Sequence, residues 1–200
     1  MIIKKRFFDL FLAILLIVFV LPLFFIIYLY VYFQIGSPVI FKQERIGYKG
    51  KKFNLYKFRT MKNKNSKLVS NRKIEIRRVL AKTKFLRRTR LDEIPQLFNI
   101  IKGDLSFVGP RPLLEEYSSL YNSKQRKRMD VVPGITGWSQ IKSRKNFTWK
   151  ERFNLDIWYV DHRSFFLDLK IIILTVSVFF KLIFQNEKNI YMTDKFNGKN

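Results

Sequence analysis

The hydrophobic pattern divides the chain sharply. From Leu10 to Phe33 no residue carries a charge, and all are apolar or aromatic apart from Pro22. As helix this run is about 36 Å long at ~1.5 Å per residue, enough to cross a hydrocarbon core of ~30 Å. A cleavable signal would have a shorter apolar core and end in small residues, whereas this run ends Tyr28-Leu29-Tyr30-Val31-Tyr32-Phe33, an interfacial aromatic belt. The core helix of a soluble protein is the alternative. Beyond a turn at Gly36-Ser37-Pro38, Val39-Ile40-Phe41 and Phe53 to Phe58 predict a hairpin closed by Gly47-Tyr48-Lys49-Gly50-Lys51. Residues 62–73 read as a basic loop, and Ile74 to Leu86 as a basic helix that meets anionic groups or is simply solvated. Ile94, Leu97, Phe98 and Ile101 recur at i, i+3, i+4 and i+7, which predicts one apolar helix face ending at Gly103. Ile171 to Phe180 is apolar between Lys170 and Lys181, too short to cross, and reads as an interfacial or core helix that Asp168 would start.

Charge sharpens this picture. Thirty-nine Lys and Arg oppose fifteen Asp and Glu, a formal net charge of +24. Such a field calls for an anionic partner: nucleic acid, a lipid surface or a phosphorylated substrate. Lys4, Lys5 and Arg6 precede the apolar run, and the stretch from Lys42 to Arg90 opposes its many cations with only Glu44 and Glu75. Cations on both flanks favour one side of a membrane for both ends. Pro22, near mid-run, removes a helical hydrogen bond and marks a kink or break. A returning helix and a tilted, kinked span both satisfy these facts. There are no cysteines and one histidine, His162, which excludes thiol catalysis and a His-based metal cage; His162 itself reads as structural.

The chemistry gathers around Asp92 and Glu93. Pro95 belongs in a first helical turn, which would put Asp92 at or near an N-cap and Glu93 just inside. Capping alone would account for both acids. Their neighbours suggest more, since Arg87, Arg88 and Arg90 precede them and Gly109-Pro110-Arg111-Pro112 follows. Nearby cations keep a carboxylate ionised and also receive phosphate oxygens. The array suits phosphoryl transfer to or through a carboxylate, with a divalent cation on oxygen ligands. Neither a GxxxxGK[ST] nor a GxGxxG loop is present.

These residues resemble a known family. Asp92-Glu93-Ile94-Pro95-Gln96-Leu97, Lys102 through Pro112 and Pro133-Gly134-Ile135-Thr136-Gly137-Trp138 resemble the bacterial sugar transferases, the monotopic phosphoglycosyl transferases. Lys5 through Asp9, Lys57-Phe58-Arg59-Thr60-Met61 and Tyr159 through Lys170 match as well. The small size and the tail Lys195-Phe196-Asn197-Gly198 are similar to the initiating enzyme of bacterial N-linked protein glycosylation. The sequence departs from the family at Arg90, Ser139, Leu21 and Lys142 through Asn146, which leaves the acid pair intact and the sugar open.

The resemblance implies an α+β fold, mainly helical. A re-entrant membrane anchor (1–36) would precede a cytoplasmic catalytic domain with a small β-hairpin and interfacial helices (37–186), followed by a tail (187–200). It implies that Asp92 attacks the β-phosphorus of a UDP-sugar, UMP leaves, and undecaprenyl phosphate takes the phosphosugar from the aspartyl intermediate. Mg²⁺, held by Asp92 and Glu93, would offset the diphosphate charge, and Glu93 would serve the metal or the proton transfer. Lys57, Arg111 and Arg144 are the candidate phosphate contacts. Asp168 matches a family carboxylate and could equally cap its helix. The implied location is the cytoplasmic face of the bacterial inner membrane, with membrane lipids and downstream glycosyltransferases as partners and no nucleic acid. A membrane-tethered nucleic-acid binder and a non-catalytic scaffold are the other classes; UMP release from a UDP-sugar separates the enzyme from both.

Overall fold

A computed structural model describes residues 2–61, 80–142, 147–184 and 196–198. The apolar run and its basic head form one helix, α1 (Ile2–Ile35). Gly36 ends it in a left-handed conformation (φ 83°), donating its amide to the Tyr32 carbonyl at 2.8 Å. Pro22 lies inside α1 without dividing it. Of the kink or break open there, the break does not occur: the missing amide frees only the Val18 carbonyl, and the turns on either side carry the helix through.

α1 is also part of the core. Ala13, Ile27 and Val31 are buried, while Phe7, Phe11, Val18, Phe25 and Phe33 point outward on the opposite side. Full burial of a side chain such as Val31 or Ile27 stabilises the fold by about 1.5–3 kcal/mol. Polar contacts hold the helix at both ends. Lys5 pairs with Asp168, Arg6 donates to the carbonyls of Ile100 and Ile101, and Asp9 accepts from the Phe107 amide. Near the other end Arg59 donates to the carbonyls of Ile35 and Gly36.

The expected hairpin forms with a longer first strand. β1 (Ile40–Ile46) pairs antiparallel with β2 (Lys52–Phe58), Ile40 opposite Phe58 and Ile46 opposite Lys52. Of the expected basic helix, residues 74–79 lie outside the described set; the rest is a 3₁₀ turn (Ala81–Thr83) running into α2 (Lys84–Arg88). α3 (Gln96–Lys102) ends at Gly103 as expected. Its buried side is Gln96, Leu97, Asn99 and Ile100, whereas Phe98 and Ile101 are partly exposed. The apolar periodicity thus merged two surfaces: one faces the core, and the other faces outward beside α1, where Phe98 meets Phe24 edge to face at 6.0 Å.

The sequence reading missed a short parallel pair, β3 (Ser106–Val108) with β4 (Gly134–Thr136). Gly134 makes it possible, because a Cβ there would lie 2.1 Å from the Gly109 nitrogen. A four-residue helix, α4 (Ser123–Arg126), precedes β4 and α5 (Trp138–Lys142) follows it. α6 (Trp149–His162) opens with a capping box between Thr148 and Glu151. His162 lies in its last turn, stacked on Trp158 at 4.5 Å, in keeping with a structural part. α7 (Phe165–Phe184) outruns the expected helix at both ends, by Phe165, Phe166 and Leu167 ahead of Asp168 and by four residues beyond Phe180. Asp168 therefore sits within the first turn and accepts hydrogen bonds from Lys5 and from the Tyr159 hydroxyl. From the tail, Phe196 packs in an aromatic cluster with Tyr117, Tyr121, Trp149 and Phe153.

Candidate active site

The acid pair sits on a 3₁₀ turn, Leu91–Glu93, ahead of α3. Arg90 enters this turn at φ 53°, a left-handed conformation that costs a non-glycine residue roughly 1–2 kcal/mol. Ile94 and Pro95 continue the chain, and α3 begins only at Gln96. Neither carboxylate caps a helix, contrary to the expectation from Pro95. Proline at this point closes the turn before the helix starts, and the turn aims both acids inward, where they are 8–9% exposed.

The two acids then part in character. Glu93 Oε1 accepts from Lys57 Nζ at 2.7 Å and from Arg111 Nη2 at 3.0 Å, and Arg90 lies 3.9 Å from Oε2. Burial pushes the Glu93 carboxyl up, but Arg111, Lys57 and Arg90 outweigh it and hold the group well below the usual carboxylate range. Asp92 accepts no hydrogen bond and pairs with no cation among the described residues. Burial, then repulsion from Glu93, pushes its carboxyl up to about 6, with Lys57, Arg87 and Arg90 pulling the other way. Lys57 is lowered by burial despite Glu93, and Arg111 is raised chiefly by Glu93. The result is one neutralised carboxylate beside one uncommitted carboxylate, with the three cations Lys57, Arg90 and Arg111 close by.

Each cation comes from a different element. Lys57 is the penultimate residue of β2, opposite Phe41. Arg111 stands between two prolines just past β3, and its carbonyl accepts from Arg128 at 2.8 Å. Arg128 in turn is clamped by Asp156 of α6 at 2.8 Å and donates to the Tyr121 hydroxyl at 3.1 Å. The structure thus brings together Asp92, Glu93, Lys57 and Arg111. Arg144 lies outside the described residues. Asp168 caps nothing; it belongs to the separate Lys5–Tyr159 cluster that fastens α1 to α7. An apolar groove is lined by Ile17, Leu21 and Phe24 of α1 with Ile94, Leu97 and Phe98, and Pro22 is not among its lining residues.

Sequence reasoning passed over Arg45, Arg128 and Asp156. Arg128 was hidden in a basic stretch that resembles solvated surface. Asp156 did carry a signal: an acid on the same helical face as Trp149, Phe153 and Ile157 needs a buried partner. For Mg²⁺, the uncommitted Asp92 and the Oε2 side of Glu93 supply hard oxygen donors. The described residues contain no cluster of three potential ligands. Mg²⁺ needs only one or two carboxylates when substrate phosphates and water complete its shell, so the residues fit it.

The chain is 51% identical over 175 residues to EpsL of Bacillus subtilis, an uncharacterised sugar transferase, covering 87% of this chain and 86% of EpsL. It is 39% identical over 182 residues to the UDP-glucose:undecaprenyl-phosphate glucose-1-phosphate transferase of Escherichia coli, covering 86% of this chain and 39% of that protein. With the undecaprenyl-phosphate galactose phosphotransferase of Salmonella typhimurium it shares 31% identity over 193 residues, covering 87% of this chain and 40% of that enzyme. The family model described as bacterial sugar transferase matches residues 1–182, a span that holds α1, the acid pair and every cation clamped around it, and the chain belongs to that family.

Proposed function

We propose that the protein moves a phosphosugar from a UDP-sugar to polyprenyl phosphate, undecaprenyl phosphate in its cellular setting, through a covalent intermediate on Asp92. The observation that carries this reading is the division of labour in the acid pair: Glu93 is held by cations while Asp92 is uncommitted. An Asp92 oxygen forms a bond to the β-phosphorus as the bond from that phosphorus to the bridging oxygen breaks, and UMP departs with the electron pair. A phosphate oxygen of the acceptor then attacks the same phosphorus and releases the Asp92 carboxylate. Both nucleophiles are already anions, so neither step needs a general base. Glu93, held ionised by Arg111 and Lys57, is a poor proton carrier; its part is to aim these two cations. Mg²⁺ at Asp92 and Glu93 would supply charge neutralisation for the diphosphate. A panel of UDP-sugars with undecaprenyl phosphate, read as UMP release, tests the reading. Turnover of at least one donor supports it, and silence across the panel with well-folded protein refutes it. Excess EDTA is expected to abolish turnover and Mg²⁺ to restore it; full turnover in EDTA would remove the metal from the scheme.

A lipid acceptor suits the surroundings. The apolar groove between α1 and α3 starts at Ile94, next to the acid pair, and runs along α1. An isoprenoid chain laid there would bring its phosphate towards Lys57 and Arg111. α1 is long and apolar enough to cross a membrane, yet both of its ends are tied to the same domain. This supports reading α1 as a helix that enters the bilayer and returns by bending at Pro22, with the domain at the cytoplasmic face where cationic flanks are retained. With single cysteines at Ile3 and Lys127 of this Cys-free chain, an impermeant thiol reagent on intact cells should label neither position. Labelling at position 3 alone would show a spanning helix.

A further inference from the structure

Phe196 is 3% exposed, although it lies beyond residue 182, where the family match stops. Its ring meets four others, with centroids at 5.0 Å from Phe153, 5.4 Å from Trp149, 5.8 Å from Tyr117 and 6.1 Å from Tyr121. The contacts with Phe153 and Tyr117 are edge to face, the geometry that aromatic quadrupoles favour. Buried area on this scale offsets the entropy of ordering the segment that carries the ring. A tail anchored merely for packing could sit on any apolar patch; this one sits beside the machinery of the site.

Two of the four rings have a second duty. Arg128 lies over Tyr121 and Phe153, its guanidinium carbon 5.8 Å and 5.5 Å from their centroids, and it donates to the Tyr121 hydroxyl. Phe196 thus packs against the rings on which the Arg128 guanidinium rests. Arg128 Nη2 donates to Asp156 and to the Arg111 carbonyl, both at 2.8 Å, and Arg111 reaches Glu93 at 3.0 Å. Leu113, two residues after Arg111, belongs to the same hydrophobic cluster as Phe196. One cluster therefore holds the Arg111 segment twice, at its carbonyl through Arg128 and along the chain through Leu113. Close-packed interiors transmit displacement, because a ring left beside a void loses contacts and shifts to recover them.

We propose that Phe196 is a positioning residue for the transfer reaction: seated in its cage of rings, it holds Arg128 against the Arg111 carbonyl and so keeps the Arg111 guanidinium on Glu93. The proposal rests on the reading of Asp92 as nucleophile with Glu93 beside it. Phe196 touches neither acid. It acts through Tyr121 and Phe153, then Arg128, then Arg111, and the tail thereby contributes to a site built by residues far earlier in the chain.

The test compares the full-length membrane protein with its Phe196→Ala and Phe196→Leu variants, well below their unfolding midpoints and with a donor that the wild type turns over. Phe196→Ala should lower kcat by roughly tenfold or more, and Phe196→Leu, which refills much of the space, should recover most of the loss. Given labelled UDP-sugar without acceptor, Phe196→Ala should label Asp92 more slowly but to the same final extent as wild type. A lower extent at an unchanged rate would show only a smaller folded population and overturn the positioning role, as would an unchanged kcat. A second readout needs no turnover. Phenylglyoxal should modify Arg128 roughly threefold or more faster in Phe196→Ala, mapped by mass spectrometry, while Arg59, buried against the end of α1, keeps its wild-type rate. An unaltered rate at Arg128, or an equal rise at Arg59, overturns the proposal. Faster modification of Arg128 alone, with no UDP-sugar turned over even by the wild type, would keep the tail's hold on Arg128 and sink the Asp92 reading instead.

Discussion

Asp92→Asn protein is expected to release no UMP above background, a loss of roughly 10³-fold or more, or about 4 kcal/mol of barrier. The substitution keeps the shape of the side chain and removes only the anion. Wild-type protein given labelled UDP-sugar without acceptor should retain label on Asp92, and the variant should retain none; comparable turnover in the two would end the assignment. The same substitution should stabilise the fold. The folded-state pKa, about 6, lies above the ordinary aspartate value of about 3.9, so the ionised form is the one the fold disfavours. Asp92 thus contributes its best stability below about pH 4 and loses it as pH rises through about 6. A shift of about two units corresponds to roughly 3 kcal/mol at pH 7 and above, which Asn would recover, and the gain should vanish in acid. Turnover by the wild type should show the mirror image, an acid limb centred near pH 6.

Asp156→Asn should produce the largest loss of stability, about 3–5 kcal/mol, because it leaves the Arg128 guanidinium uncompensated in the core. Arg128 and Asp156 are 5% and 1% exposed, and Ser139 adds a further hydrogen bond to the carboxylate at 2.6 Å. Arg128 also supports the Arg111 carbonyl, so the loss should not be confined to stability. Assayed well below its unfolding midpoint, the variant should show reduced kcat as Arg111 loses its fixed reach to Glu93. Denaturant melts and UMP release measure the two effects separately. Asp130→Asn, which breaks the exposed Lys49–Asp130 pair, is the control and should change neither. An Asp156→Asn protein as stable as wild type would show that the buried pair is dispensable.

What the sequence made legible follows from how local each signal is. The apolar run, the hairpin around Gly47 and the stop at Gly103 depend on neighbours within a few residues, and all three appear. The pairing of β3 with β4 depends on two glycines that lie 25 positions apart, Gly109 and Gly134, and no local pattern announces it. Length misled at α7, where Asp168 looked like a boundary because an acid suits a helix start; its partners Lys5 and Tyr159 let the helix begin earlier. Within the site, Asp92 and Glu93 were visible as a pair, but their unlike characters were not. These depend on Lys57 and Arg111 reaching Glu93 across 36 and 18 residues of chain.

The fastening of α1 at both ends has a consequence for how the molecule is made. α1 leaves the ribosome ahead of its partners, which are spread over the chain that follows it. Arg59 appears early, the Ile100 and Ile101 carbonyls later, and Asp168 lies 163 positions after Lys5. If α1 enters a membrane as proposed, it must find lipid before the domain that will hold it exists. Cutting it away would not free a soluble catalytic half, since Ala13, Ile27 and Val31 would leave holes in two separate hydrophobic clusters. On that reading insertion and folding are successive stages of one assembly, completed when α7 delivers Asp168 to Lys5.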